Sequence, residues 1–263
     1  MHVVRGCVVA VLFTGLFLVS PQAAACDPAS SPQQARMAVD GDAQALGCLK
    51  DKAADDPSAA FTLGAVYERT DQVERAEEYF RKALEQGNTT ALLALAELHL
   101  REGNLEESVA WSYLGTQTFQ YGEDPSSPAQ LAVGLLDQGF SRISQDQSEE
   151  VERQAMERAR EWRNRLAPDE NGTEASTCLE RIESSAPRYP GRMRNRHQEG
   201  WAMVLAKVDA NGDVTDTYTV YTGGHPDFAT PSEQAVNRWK FDTEECSKES
   251  NAMSTSIHYL LEG

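Results

Sequence analysis

Side chains able to carry out chemistry are few in this chain of 263 residues, and they are widely spaced. Beyond the first 25 residues the histidines are His99, His197, His225 and His258. None of them lies at metal-ligand spacing from a cysteine or a carboxylate. The sequence also contains no nucleophile elbow, metalloprotease helix, phosphate-binding glycine loop or dinucleotide fingerprint. We therefore predict that the protein is not an enzyme and has no catalytic residue, metal site, cofactor or small-molecule substrate.

The first 25 residues have the pattern of a secretory signal. Arg5 precedes an apolar run over residues 6–20, and Ala23-Ala24-Ala25 forms a small-residue cleavage site. We predict cleavage before Cys26 and export of the remaining chain. Two alternatives stay open. One is an uncleaved membrane anchor, although the apolar run is shorter than the ~20 residues that span a bilayer. The other is lipidation of Cys26.

Cysteine pairing is the one covalent chemistry that the sequence favours. Cys7 belongs to the predicted signal, and the four other cysteines are Cys26, Cys48, Cys178 and Cys246. An even number of cysteines in an exported chain indicates disulfide bonds, and four cysteines allow three pairings. We favour Cys26 with Cys48 and Cys178 with Cys246, because each bridge then stays within one predicted domain.

The charge of the chain limits the classes of partner. The formal net charge is -17 at pH 7. A strongly acidic protein repels nucleic acid and anionic lipid. We therefore predict no nucleic-acid partner, and the charge itself is typical of a protein kept soluble by its surface.

Residues 57–166 have helical hydrophobic periodicity, in a pattern that recurs after 32 residues. The positions of Leu63, Val66 and Tyr67 are taken again by Leu95, Leu98 and His99. Each unit reads as a helix, a polar turn and a second helix, which buries its apolar face by stacking on its neighbours. The segment resembles tetratricopeptide-type repeats. We predict a helical-repeat domain over residues 26–166, with capping helices at 32–53 and 147–166.

A polar linker is predicted at residues 167–177, and a second domain follows at 178–263. Tyr189-Pro190 should open a short helix. Gly200 then precedes an alternating strand at 201–209, and Asn211-Gly212 is a strong hairpin signal before a second strand at 214–221.

The last part of the chain adds a second helix and a last strand. Thr230-Pro231-Ser232-Glu233 has the pattern of a capping box, which predicts a helix beginning at Thr230. That helix carries Trp239, and Phe241 follows it. Residues 253–261 alternate between apolar and polar side chains, which predicts a strand.

In this order the features resemble the C-terminal domain of TonB-family proteins, the periplasmic partners of outer-membrane receptors. The matching motif residues are Tyr189, Pro190, Gly200, Gly212, Trp239 and Phe241. The resemblance implies two helices on a three-stranded antiparallel sheet, in the order helix, two strands, helix, strand. The predicted fold class is therefore α+β with two domains, a helical-repeat domain followed by a TonB-like domain.

The resemblance also implies a partner. In the family, a short extended segment of an outer-membrane receptor adds to the exposed edge of the last strand, and main-chain hydrogen bonds supply affinity. Carried over to this chain, that edge consists of Ser254, Ser256, Ile257, His258, Tyr259 and Leu260. The implied location is the periplasm, the implied role is linked to envelope transport, and a homodimer is a further option.

The first strand of this domain is apolar on both faces. Ala202 and Val204 belong to the face that resembles the family's core, whereas Trp201, Met203 and Leu205 lie on the other face, where family members usually carry polar residues. An open sheet does not leave such a patch in water. We predict that this face packs against the helical repeats or against a partner protein.

Two other functions stay open. The chain has no proline-rich spacer, and its eleven-residue linker reaches at most ~40 Å, so an inner-membrane-anchored energy transducer is the lesser alternative. The runner-up is a non-enzymatic periplasmic scaffold, whose helical-repeat groove binds the client while the TonB-like domain docks or dimerises.

Overall fold

The computed structural model describes residue 26 and residues 31–119, 128–166, 178–244, 246 and 252–261. The predicted signal and the predicted linker lie outside these ranges. Within them, no helix is both long enough and apolar enough to cross a membrane. The predicted fold class is confirmed: a helical N-terminal region precedes a C-terminal domain built on an antiparallel sheet.

The described residues between 32 and 166 form eight α-helices. They are α1 (Pro32–Val39), α2 (Ala43–Lys52), α3 (Pro57–Arg69), α4 (Val73–Glu85), α5 (Ala91–Glu102), α6 (Leu105–Thr118), α7 (Pro128–Ser141) and α8 (Ser148–Leu166). The 32-residue period corresponds to the pairs α3/α4 and α5/α6. Asp56 caps α3 by accepting the backbone N–H groups of Ser58 and Ala59 at 2.8 and 3.1 Å, which satisfies donors that a helix start leaves open.

The single capping helix predicted at residues 32–53 is wrong. The structure has two helices there, because the chain turns at Gly41, whose φ of 88° lies in the left-handed region. Asp42 then caps α2 by accepting the N–H of Ala45. The turn lets α1 pack against the C-terminal sheet while α2 packs on α3.

The C-terminal domain contains β1 (Glu180–Glu183), α9 (Gly191–Asn195), β2 (Gly200–Val208), β3 (Val214–Gly223), α10 (Ala229–Val236), β4 (Lys240–Asp242) and β5 (Ala252–Tyr259). The main sheet is antiparallel with the order β3-β2-β5. The implied order of elements missed a second, two-stranded sheet. In it β1 pairs with β4, so that Phe241 lies in a strand.

The start of the second helix was also predicted wrongly. A short 3-10 helix at Pro226–Phe228 leads directly into α10, so Thr230 lies inside the helix and caps nothing. In a capping box the glutamate side chain accepts the backbone N–H of the N-cap residue. The Glu233 carboxylate instead accepts the N–H of Thr219 on β3 at 2.6 Å.

One face of the main sheet forms the core of the C-terminal domain. Ala202, Val204, Ala206 and Val208 of β2 pack with side chains from both helices and from the neighbouring strands. The buried partners are Met193, Phe228, Val236, Trp239, Phe241, Ile257 and Tyr259.

The other face of the sheet packs against the helical repeats. Trp201, Met203 and Leu205 belong to the same buried cluster as the repeat helices, and Trp201 has no exposed surface. The Trp201 ring stacks on Tyr221 of β3 at 4.9 Å between centroids and meets the edge of Phe61 of α3 at 6.2 Å. The sequence predicted that this face packs either against the repeats or against a partner protein, and in the structure it packs against the repeats.

We expect Trp201→Glu to destabilise the protein, because it removes a large buried ring and buries a charge in its place. Loss of a buried tryptophan costs about 3–5 kcal/mol, which for a chain of this size lowers the unfolding midpoint by about 10 °C or more. Thermal unfolding followed by circular dichroism measures the effect.

The matched control is Ile182→Glu, since Ile182 on β1 is 56% exposed and a glutamate introduced there should leave the midpoint nearly unchanged. Equal midpoints for wild type and Trp201→Glu would show that the packed interface does not exist in solution.

Candidate partner-binding site

The β2–β3 hairpin fixes which backbone groups of each strand point outward. The Asp209 N–H donates to the Asp213 carbonyl at 2.9 Å, and Gly212 closes the loop with a φ of 82°, as a three-residue hairpin loop with a left-handed glycine does. Backbone direction alternates along an antiparallel strand. The main-chain N–H and carbonyl groups of odd-numbered β2 residues therefore point to β3, and those of even-numbered residues point to β5.

By this alternation, the main-chain groups of Thr217 and Thr219 on β3 point away from β2. Side chains from other elements already form hydrogen bonds with them. Arg69 of α3 donates to the Thr219 carbonyl at 3.1 Å, and Glu233 of α10 accepts the Thr219 N–H. Arg36 of α1 donates to the Thr217 carbonyl. Although β3 is an edge strand of the sheet, this part of its edge is closed by side chains.

The opposite edge of the sheet, formed by β5, is not closed by a described strand. Ser254 and Ser256 of β5 lie opposite Leu205 and Met203. By the same alternation, their main-chain groups point away from β2. Among the residues that the structure describes, no strand pairs with β5 on that side. An edge strand of this kind is a template for pairing with another chain.

The side chains of β5 point to the two faces of the sheet. Ile257 and Tyr259 are buried in the core of the C-terminal domain, and the Tyr259 hydroxyl lies 2.8 Å from Ser232 Oγ. On the other face, Ser254 Oγ lies 2.7 Å from Ser58 Oγ of α3. Ser256 and His258 are half-buried, and Leu260 packs against the repeat cluster. The strand therefore offers its main chain rather than the side chains of Ile257 and Tyr259.

Trp201, Met203 and Leu205 were also predicted as partner-binding residues, and they lie on the face of the sheet that packs against the repeats. All three are buried by helices of their own chain, so a partner protein has no access to them in this conformation. They hold the C-terminal domain on the repeats.

A carboxylate lies at the centre of this intramolecular contact. Glu97 of α5 accepts hydrogen bonds from Trp201 Nε1 at 3.1 Å and from the Tyr221 hydroxyl at 3.2 Å. Burial raises the pKa of Glu97 to about 7, the two hydrogen bonds oppose that rise, and the charge of Glu68 adds to it. Burial likewise raises the pKa of Glu68, although its ion pair with Arg101 opposes this.

Next to Glu97 a cleft of about 970 Å³ separates the repeats from the end of the sheet. Leu100, Leu131 and Leu135 form an apolar wall from α5 and α7, and Tyr221 and Pro226 belong to the opposite side. The sequence prediction missed both Glu97 and the cleft. One signal was present, because Glu97 interrupts an apolar run and takes the place that Ala65 has 32 residues earlier.

The disulfides have the pairing favoured from the sequence, Cys26 with Cys48 and Cys178 with Cys246. The first joins the start of the described chain to α2, and the second links the segments that flank the β1–β4 sheet. A Cys26 sulfur bonded to Cys48 is not available for lipidation. In the ranges described, no group of three or more His, Cys, Asp or Glu side chains could hold a metal ion.

The motif residues hold the C-terminal domain together. The Tyr189 ring contacts the rings of Phe228 and Tyr259 at 6.0 and 5.6 Å, and Pro190 is the residue before α9. A side chain at Gly200 would collide with Phe228. The Trp239 indole donates to the Ser185 carbonyl at 3.1 Å.

Comparison with known families agrees with this architecture. Residues 185–261 match the family described as Gram-negative bacterial TonB protein C-terminal. The C-terminal domain is TonB-like. Residues 57–86, which contain the helix pair α3/α4, match the tetratricopeptide repeat family. Both resemblances predicted from the sequence are thereby confirmed.

Among solved structures, the chain is similar to the solution NMR structure of the Pseudomonas aeruginosa TonB CTD. The identity is 18%, the alignment covers 36% of this chain and 98% of that chain, and the TM-score is 0.30. No curated protein matches this sequence.

We expect stability to depend on the protonation of Glu97. Its pKa in the folded protein, about 7, lies above the usual 4.5, so the folded state binds the proton more tightly than the unfolded state. Its contribution is therefore fully present below pH 4.5 and is lost as the pH rises to about 7. At ~1.4 kcal/mol per pKa unit, the loss is about 3 kcal/mol.

Glu97→Gln keeps an acceptor for Trp201 and cannot ionise. Urea unfolding at pH 5 and pH 8 should show that Glu97→Gln becomes more stable relative to wild type at the higher pH. Glu102→Gln, an exposed change on the same helix, should not show this trend. Parallel pH dependences for wild type and Glu97→Gln would contradict the assignment.

Proposed function

We propose that this protein is a non-enzymatic component of a Gram-negative periplasm that binds an extended segment of an envelope protein by strand addition at β5. The observation that supports this most directly is the difference between the two edges of the main sheet. Main-chain groups of β3 are bonded to Arg36, Arg69 and Glu233, whereas no described strand covers the outer side of β5.

Strand addition suits β5 because the main-chain groups of Ser254 and Ser256 point outward, while the side chains of Ile257 and Tyr259 are buried in the core. Each new main-chain hydrogen bond contributes about 0.5–1.5 kcal/mol net, and a partner strand also buries side chains alternately on the two faces of the sheet. On one of those faces the partner would run beside the start of α3, because Ser58 already contacts Ser254 there. The repeats then form one wall of the binding site.

The class of partner follows from the TonB-like domain. An outer-membrane receptor is the partner that the family resemblance implies, with a role linked to envelope transport. Export by a cleaved signal is part of the same proposal, as is the division into a repeat domain at 26–166 and a TonB-like domain at 178–263. An anchored energy transducer remains the lesser alternative.

The cleft supports a second candidate, the scaffold whose repeats bind the client. Trp201 and Tyr221 already contact α3 and α4, through Phe61 and Phe80. The part of the repeat surface near α7 is different, because it borders the open cleft of about 970 Å³. A client in this cleft would touch both halves of the chain and would leave β5 free.

Proline and alanine at one position test strand addition. Ser256→Pro removes an outward N–H and places a ring on the edge, whereas Ser256→Ala keeps the main chain intact. Peptides selected from a random displayed library on the full wild-type chain serve as probes, with affinities measured by calorimetry. We expect Ser256→Pro to weaken binding at least about tenfold and Ser256→Ala to bind like wild type.

A cleft variant separates the two candidates in the same experiment. A Cβ at Gly134 of α7 would have no atom within 4 Å, so Gly134→Arg adds bulk to the cleft without a collision and also suits a helix. Strand addition predicts unchanged affinity for this variant. Loss of binding in Gly134→Arg, with full binding in Ser256→Pro, would instead favour the scaffold.

A further inference from the structure

We propose that Arg36 and Arg69 of the helical repeats close the β3 edge against a second copy of this chain, so that the sheet can be extended at β5 alone. The proposal concerns β3 and does not depend on the identity of a β5 partner. It assigns the repeat region a role in controlling self-association, which is separate from supporting the TonB-like domain or from binding a client.

At Thr217 the β3 edge is closed by Arg36 of α1. Arg36 forms two hydrogen bonds with the Asp216 carboxylate, at 2.8 and 2.9 Å, and also donates to the Thr217 carbonyl. The hydrogen bonds from Arg36 lower the pKa of Asp216. The outward carbonyl of Thr217 is therefore occupied, and the ion pair with Asp216 holds Arg36 in place beside it.

The outward groups of Thr219 are occupied as well. Its carbonyl accepts from Arg69 Nη2 at 3.1 Å, and its N–H donates to Glu233 Oε1 at 2.6 Å. A strand from another molecule would need these same groups, because an added strand bonds the outward N–H and carbonyl of alternate residues. It would have to displace the arginines first.

Tyr218, between these two residues, fixes the position of both arginines. The Arg36 and Arg69 guanidinium groups lie 5.1 and 5.6 Å from the centre of its ring, within the range of a cation–π contact. Arg69 Nη1 also donates to the Tyr218 hydroxyl at 2.7 Å. One aromatic side chain of β3 therefore holds a cation from α1 and another from α3 over the strand edge.

The occupant that the arginines exclude is the β5 edge of a neighbouring copy. Each chain carries one edge of each kind, since the sheet order is β3-β2-β5. If β3 were open, the β5 strand of a second copy could pair with it, and the second copy would present its own β3 to a third. Contacts of this head-to-tail type propagate into rings or filaments rather than stopping at a closed dimer.

The test compares self-association of the full chain by sedimentation velocity over a range of concentrations. Arg36→Ala combined with Arg69→Ala should give oligomers that grow with concentration, with an association constant at least about tenfold above that of wild type. Ser256→Pro added to the double variant should return it to the wild-type distribution, because it blocks the β5 edge of the neighbouring copy.

The matched control removes two exposed arginines elsewhere, Arg75→Ala with Arg153→Ala, and thereby makes the same change in net charge. It should sediment like wild type. Circular dichroism and tryptophan fluorescence establish that each variant is folded. If the double variant loses its fold, Arg69→Ala alone is used, because it leaves the Arg36–Asp216 pair in place. We then expect a smaller rise in association.

Three results would overturn the proposal. One is a folded arginine variant with the association behaviour of wild type. Another is association that persists after Ser256→Pro is added, because the new contact would then not involve β5. The third is equal association of the control and the double variant, since charge loss alone would then explain the effect.

Discussion

Burial of the Trp201 face of β2 against the repeats is the constraint on which the rest of this architecture depends. The small helices of the C-terminal domain cover only one face of its three-stranded sheet, and the second face also carries large apolar side chains. The repeats cover it, and Phe61, Trp201 and Tyr221 join the two regions into one packed cluster. This contact brings α1 and α3 alongside β3 and thereby places the Arg36 and Arg69 side chains on its edge.

The two edges of the sheet differ because the repeats lie asymmetrically across it. Helix α1 reaches β3, where charged side chains bond the polar groups of the strand, while on the β5 side Ser254 contacts α3 through a hydroxyl pair with Ser58. Glu97 adds a polar centre to an otherwise apolar interface, and its hydrogen bonds to Trp201 and Tyr221 specify one orientation of the sheet on α5. Packing and hydrogen bonding thus select the same arrangement.

Much of the fold could be predicted from the sequence, because its strongest signals are local. Gly212 marks the hairpin through its backbone conformation, and the 32-residue period identifies the helix pairs. The apolar second face of β2 predicted a buried contact. The break at Gly41 and the β1–β4 sheet carry weaker local signals. Contacts such as Arg36 with Asp216, which are 180 residues apart, depend on how the two regions meet, and no spacing within either region encodes them.

The Cys178–Cys246 bridge has a mechanical consequence. It closes a loop with a sequence separation of 68 residues, which contains β2, β3 and both small helices, while β5 lies beyond the loop. A pull along a partner attached to β5 would load the β2–β5 ladder in shear, and the crosslink would take no part in resisting it. The non-covalent hold of the crosslinked body on β5 would therefore consist of that ladder and of the packing of Ile257 and Tyr259 in the core.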